Sequence, residues 1–210
     1  DKSSLIFAVE KGEAVLRRGY ISSFKMDETD IAVDFEIKPS GLLKLKVNGP
    51  FVDARPFLGD SESKKRPYTG PPMMISADVG RMRTHEARLV DQVKMYLDLG
   101  RNGLPDQFEL DAVSGNGVVY LRLKPDSKGG LKLRFEADNA GSVLRAFDVY
   151  KNIIGGKLVV VGETISGQNK YNLQGNAQIS DFRVKDAPTL ARLVSAISPT
   201  GLPQLLSGEG

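Results

Sequence analysis

The chain has 210 residues, 40% of them hydrophobic and 26% charged, a balance ordinary for a folded protein and a length sufficient for a sizeable core. Its 29 basic and 26 acidic residues leave a net charge of +3. The two signs are interspersed, which argues against the concentrated basic stripe that nucleic acid demands, despite a pI near 9.0. With no cysteine, disulfide frameworks, thiol nucleophiles and cysteine zinc sites are excluded.

Taken in chain order, the first clear period of two sets Ile31, Val33, Phe35 and Ile37 against Asp30, Asp34 and Glu36. Leu43, Leu45 and Val47 follow against Lys44, Lys46 and Asn48. Alternate side chains of a strand point to opposite faces, so each stretch has one face for water and one apolar face. Residues 61–72, with Lys64, Lys65, Arg66 and three prolines, read as a mobile loop. Further strands are expected at Leu89–Leu97, Phe108–Ala112, Val119–Leu123, Leu131–Ala137, Leu158–Val161 and Tyr171–Ile179. Ser114-Gly115-Asn116-Gly117 and Asp126-Ser127-Lys128-Gly129-Gly130 supply the positive φ angles of tight hairpins, so neighbours join mostly as a meander.

Two segments leave that period. Gly141–Tyr150 reads as a short helix with Val143, Leu144 and Phe147 on one side. Asp186–Ile197 reads as an amphipathic helix, with an acidic cap, Pro188 in the first turn and Leu190, Leu193, Val194 and Ile197 on one stripe. The longest apolar run is about that of Leu158–Val161, far below the ~20 residues a membrane-spanning helix needs. A start at Asp1 and a glycine-rich close at Leu206–Gly210 suggest a piece of a longer protein, with any signal peptide or anchor outside it.

Catalytic signals are sparse. His85 is the only histidine, so histidine metal sites and the usual nucleophile triads lack their parts. The carboxylate pairs Asp27 with Glu28 and Asp181 with Asp186 fall at strand edges and caps, where acids serve solubility and capping. Gly115-Asn116-Gly117 has no following helix and lysine, so it is a turn and no phosphate loop. The sequence points away from an enzyme and calls for no cofactor and no metal.

The apolar face is the remaining candidate. Ten strands at ~4.8 Å make a sheet ~45 Å across, whereas a helix of about a dozen residues is ~18 Å long. Two helices cannot cover such a face, so the sheet is expected to curl, pair with another sheet or hold a ligand.

The carboxy-terminal part carries a resemblance. Asp138-Asn139-Ala140-Gly141-Ser142-Val143-Leu144-Arg145-Ala146-Phe147, then Ile153-Ile154-Gly155-Gly156-Lys157-Leu158, then Gly175-Asn176-Ala177-Gln178-Ile179-Ser180-Asp181-Phe182-Arg183-Val184 continuing to Leu193, resembles the carboxy-terminal region of AsmA-like bacterial envelope proteins, including the YhdP-type members. Val52-Asp53-Ala54-Arg55-Pro56-Phe57-Leu58 resembles an earlier phrase of that region. The likeness divides a single fragment into amino-terminal strands, 1–50, and an AsmA-like region, 51–210. It implies a periplasmic part of an inner-membrane-anchored protein, built of β-groove elements and concerned with phospholipid movement towards the outer membrane. Expected partners are phospholipid, the membrane through segments outside this chain, and other envelope proteins.

Together these expectations describe a mainly β (α+β) fold, a long curved antiparallel sheet forming a groove with one or two short amphipathic helices. Val33, Phe35, Leu45, Leu121, Leu133, Phe135, Val160 and Leu173 would solvate acyl chains passively while head groups stay in water. The alternative is a structural or assembly module of the cell envelope whose apolar face closes into an ordinary core without ligand.

Overall fold

The computed structural model describes residues 2–58, 68–85 and 88–185. Eleven strands form one sheet in sequence order: β1 (Ser4–Glu10), β2 (Glu13–Met26), β3 (Thr29–Ile37), β4 (Leu43–Asp53), β5 (Met73–His85), β6 (Arg88–Leu99), β7 (Pro105–Ser114), β8 (Gly117–Pro125), β9 (Leu131–Ala137), β10 (Ile153–Thr164) and β11 (Leu173–Val184). Two helical pieces interrupt the meander, the single turn α1 (Arg55–Leu58) and the short helix α2 (Ala140–Ala146).

Local chemistry explains the hairpins. Lys11 and Gly12, at φ 50° and 85°, form the two-residue link between Glu10 and Glu13, which pair with each other, and Gly115 at φ 62° opens the link between Ser114 and Gly117. Two-residue links of this kind match the right-handed twist of the strands they join. The one departure from antiparallel pairing is β4 with β5, whose crossover between Asp53 and Met73 has the length a parallel return requires.

Several expectations need correction. The sheet is mixed where an antiparallel one was expected, and it is neither closed nor strongly curled: among the described residues β1 and β11 each pair on one side only. No curved groove is formed, so the expected lipid-holding β-groove is overturned, and with it passive lipid transport through such a groove. The alternative, a module closed into a sealed core, fails for the same reason. The physical cause is that a sheet closes only when its first and last strands pair, and here they do not.

Three strands went unrecognised or partly so: β1, β2 and β5. The expected strand at Leu89–Leu97 is the central part of β6, and the expected helix at Gly141–Tyr150 forms as α2 with its boundary at Ala146. The expected helix Asp186–Ile197 and most of the expected loop 61–72 lie outside the described residues.

Packing is uneven along the sheet. The buried core draws on Val79, Val90, Val93, Leu110, Val119, Leu123, Leu131, Leu133, Leu158, Val160 and Leu173, together with Val143 and Leu144 of α2. Nearly all of it belongs to β6–β11 and α2. Asn139 caps α2 by accepting the Ser142 N–H at 3.0 Å, satisfying one of the free donors of a helix start. Gly141 lets α2 approach β10, since a Cβ there would lie 2.3 Å from the Ile153 carbonyl oxygen. Thr84, fully buried, donates from Oγ1 to the Ala146 carbonyl at 2.6 Å, tying the end of α2 to β5.

Candidate functional site

The register of successive pairs places apolar residues in rows across the sheet, one from β2 to β11 and one from β1 to β11. One row passes from Ile21 through Val33, Val47, Ala77, Met95, Leu110, Leu121, Phe135 and Val160 to Ala177. The next passes from Leu5 through Gly19, Phe35, Leu45, Ile75, Leu97, Phe108, Leu123, Leu133 and Gly162 to Gly175. Neither row contains a polar side chain. Cross-strand side-chain neighbours ≈ 4.5–5.5 Å apart are the unit of sheet stabilisation, and the second row is broken only by glycines, at Gly19, Gly162 and Gly175.

The eight residues expected to meet acyl chains all fall on this face. Val33, Leu121, Phe135 and Val160 share the first row, Phe35, Leu45 and Leu133 share the second, and Leu173 lies two and four residues before Gly175 and Ala177 on the same side of β11. Their surroundings differ. Leu133, Val160 and Leu173 are buried, while Val33, Phe35, Leu45, Leu121 and Phe135 are half-buried. The structure thus brings them onto one face, with Val33, Phe35 and Leu45 six or more strands from Val160 and Leu173 in the sheet order.

The opposite face is ionic. Arg122 of β8 is its most heavily bonded residue: Nη2 donates to both carboxylate oxygens of Asp111 at 2.7 and 2.8 Å. Its Nε lies 3.1 Å from Glu109, and its guanidinium sits 3.9 Å from the Tyr120 ring centroid. Directly opposite on β9 is Arg134, and Lys124 faces Lys132. Like charges across a strand pair repel, and here the neighbouring acids answer them. Glu109 also pairs with Lys124 at 2.9 Å, Arg134 with Glu136, and Lys132 stands opposite Glu163. The hydrogen bond from Lys124 holds the Glu109 carboxyl below its ordinary range against the opposing effect of burial, with help from Gln107. An open depression of about 860 Å³ lies over this cluster. Its charges are already balanced within the sheet.

At one end of the sheet, the link between β6 and β7 meets the link between β10 and β11. Lys170 donates to Asp106 at 2.7 Å, the Tyr171 hydroxyl donates to the same carboxylate oxygen, and Asn102 donates to the Tyr171 hydroxyl at 3.1 Å. Burial pushes the Asp106 carboxyl upward, but the hydrogen bonds from Lys170 and Tyr171 and the Lys170 charge outweigh it, so it titrates below the usual aspartate range. Neighbouring Asp98 is raised, by burial first and then by the charge of Asp106. This cluster and α2 flank the packed half of the apolar face.

Among the described residues the amino-terminal edge has no comparable cover. Leu5 is 56% exposed, Ile6 55%, Phe7 56% and Val9 80%. From Ser4 to Val9 the strand has no charge or proline, two of the devices by which natural edge strands discourage further pairing, although its register with β2 shifts between Ile6 and Phe7. The other edge differs. β11 presents Gln174, Asn176 and Gln178 to solvent, departs from strand geometry at Asp181 with φ 56°, and carries Arg183 beyond it. Sequence reasoning missed β1 as a site, although the uncharged run Leu5-Ile6-Phe7-Ala8-Val9 was visible.

No family model matches this chain, and no curated protein matches it. Of the carboxylates noted in the sequence, Asp27 sits in the β2–β3 turn at φ 50°, Glu28 pairs with Arg83 at 2.5 Å, and Asp181 is exposed on β11. The described residues bring together no group of three or more His, Asp or Glu able to hold a metal ion. His85 ends β5.

Proposed function

We propose that this chain is a protein-association module that captures extended polypeptide by strand addition at β1. The observation that carries the reading is the β1 edge as the described residues leave it: a seven-residue strand with four large apolar side chains at least 55% exposed, Leu5 continuing an apolar row that runs through the sheet. An unpaired edge offers a row of backbone donors and acceptors, and exposed side chains beside it supply apolar area to a strand laid alongside. The partner chemistry is an uncharged, alternating β segment, because a charge placed next to Leu5 or Phe7 would lose hydration without gaining a counter-charge.

The AsmA-like resemblance of residues 138–193 supports a second part of the proposal, that the module belongs to a periplasmic portion of an inner-membrane-anchored envelope protein, with other envelope proteins as its partners. Fusing the chain within its parent protein to alkaline phosphatase and assaying activity in intact cells tests that compartment. Inactive phosphatase in intact cells excludes it.

The edge itself is tested with an alternating threonine–valine heptapeptide carrying a lysine at each end, titrated onto isotopically labelled protein. Saturable amide shifts confined to β1 and its neighbour β2, lost in Ile6→Pro, are expected. Proline removes one backbone donor and is disfavoured within a paired strand. Shifts spread over the whole surface, or none at all, would refute strand addition at this edge.

A further inference from the structure

Two successive cross-strand pairs of β8 and β9 set cation against cation, Arg122 opposite Arg134 and Lys124 opposite Lys132. Like charges directly opposite one another destabilise a sheet. The acids that offset them stand to the side: Glu109 and Asp111 belong to β7, and Glu136 lies beyond Arg134 along β9. Of the residues bordering the open depression on this face, the charged ones are those four cations and one acid, Glu163. Charge that balances over the whole ionic face is thus uneven at this point, positive over the depression.

We infer that the depression binds a phosphate group carried on a short polyol, with Lys132 and Arg134 holding the phosphate and Gln174 and Asn176 the hydroxyls. The site lies within β8–β11 and does not depend on the β1 edge.

The four cations play different parts. Arg122 turns its donors into the sheet, Nη1 to the carbonyls of Leu110 and Leu121 at 3.0 and 2.8 Å and Nη2 to Asp111, so it adds positive field and no free hydrogen bond. Lys124 is held by Glu109 at 2.9 Å. Arg134 is 57% exposed and pairs through Nη2 with Glu136, and among the described residues its Nε and Nη1 have no partner. Lys132 is exposed and forms no ion pair among the described residues, although Glu163 stands opposite it. These two side chains have donors to give, and a guanidinium beside an ammonium matches the charge and the several oxygens of a phosphate.

The register supplies the rest. Arg134, Val161 and Asn176 are successive cross-strand partners, as are Lys132, Glu163 and Gln174. Val161, short and 38% exposed, forms a low apolar floor between the long Arg134 and Asn176. Gln174 and Asn176 are both exposed and, two residues apart on one face of β11, are ~7 Å from each other. Each amide offers a donor and an acceptor, the combination that hydroxyl groups satisfy. Glu163 accepts from a hydroxyl as well, and its charge disfavours a second phosphate at that end.

The test titrates inorganic phosphate, glycerol 3-phosphate and glycerol onto isotopically labelled protein at constant ionic strength, which removes general screening. Saturable amide shifts confined to β8–β11 are expected for both phosphates, with tighter binding of glycerol 3-phosphate and no response to glycerol. Lys132→Gln combined with Arg134→Gln should weaken both phosphates roughly tenfold or more with a melt close to that of the parent chain, as both side chains are exposed. Gln174→Ala combined with Asn176→Ala should bring glycerol 3-phosphate down to the affinity of inorganic phosphate and leave inorganic phosphate unchanged. Vesicles of phosphatidylcholine with and without phosphatidylglycerol identify the source of the ligand. Capture by the phosphatidylglycerol vesicles that is lost in the Lys132 and Arg134 variant assigns a lipid headgroup, and glycerol 3-phosphate binding without vesicle capture assigns a free ester. Absence of both, shifts reproduced by chloride, or a response unchanged in the Lys132 and Arg134 variant would overturn the inference. An amide variant that binds glycerol 3-phosphate as tightly as the parent would refute the polyol.

Discussion

Leu5 and Leu123 stand in the same apolar row, seven strands apart, and truncating each to alanine measures how far the cover of that row extends. Leu123 is 2% exposed and Leu5 is 56% exposed. Removing three buried carbons at Leu123 forfeits ~2.4 kcal/mol of transfer free energy at ~0.8 kcal/mol each, and the unfilled space raises the loss to ~3–4 kcal/mol. At Leu5 less than half of the side chain is sheltered, so the transfer contribution is ~1 kcal/mol and no enclosed cavity forms. For a chain of this size 1 kcal/mol corresponds to ~2–4 °C in melting temperature. Leu123→Ala should therefore fall by about 10 °C and Leu5→Ala by only a few degrees. Urea denaturation at a dilution where the chain is monomeric gives the two free energies directly, and an unchanged slope shows that the same surface is exposed on unfolding. Equal losses would refute the division into a packed carboxy-terminal half and an uncovered amino-terminal edge. A Leu123→Ala loss below 1 kcal/mol would mean that the core of β6–β11 is not packed as described.

The aspartates at the β6–β7 end should behave oppositely with pH. Asp106 has a lowered folded value, so its contribution is complete above the ordinary aspartate range and is lost as pH falls through that lowered value. At pH 7, Asp106→Asn should cost about 0.5–1 kcal/mol, a modest figure because Asp106 and Lys170 are both more than a third exposed. Asp98 is raised, so the stability it contributes is present below the ordinary range and lost as pH rises through the raised value. Asp98→Asn should raise the neutral-pH midpoint, with the gain vanishing in acid; a loss at neutral pH would contradict the assignment. Arg122, with 16% of its side chain exposed, should cost roughly 2–3 kcal/mol when cut to alanine because its acids lose a charged partner. Arg122→Lys should recover only part, since an ammonium cannot reproduce the planar fork over Tyr120, and full recovery in a chemical melt would show that charge alone matters.

The period of two made β3, β4 and β6–β11 legible because each carries its own run of alternating apolar and polar residues, whatever the register with its neighbour. Pairs from β7 to β11 run without a register shift. Shifts occur in β1–β2, between Ile21 and Phe24 in β2–β3, between Asp30 and Ala32 in β3–β4, between Arg83 and His85 in β5–β6, and between Asp91 and Lys94 and between Asp98 and Leu99 in β6–β7. A bulge inserts a residue and reverses the apparent parity beyond it. Arg17-Arg18 and Ser22-Ser23 in β2 thus hid a strand that the hydrogen-bonding pattern makes plain. The helix α2 was legible from Val143, Leu144 and Phe147, although its end was not, because Asp148 takes φ 56° and turns the chain before Tyr150.

The sequence by itself determined that one face of this protein is apolar and the other ionic, because side-chain direction in a strand follows from covalent geometry one residue at a time. It also located Val33, Phe35, Leu45, Leu121, Leu133, Phe135, Val160 and Leu173 on the apolar side. Only the tertiary structure decided that β4 and β5 run parallel, that the first and last strands do not pair with each other, and that burial among the described residues is concentrated over β6–β11. Closure and cover depend on how strands far apart in the chain meet, through contacts such as Asp106 with Lys170 and Thr84 with Ala146. Alternation along a single strand is the same in an open sheet and in a closed one.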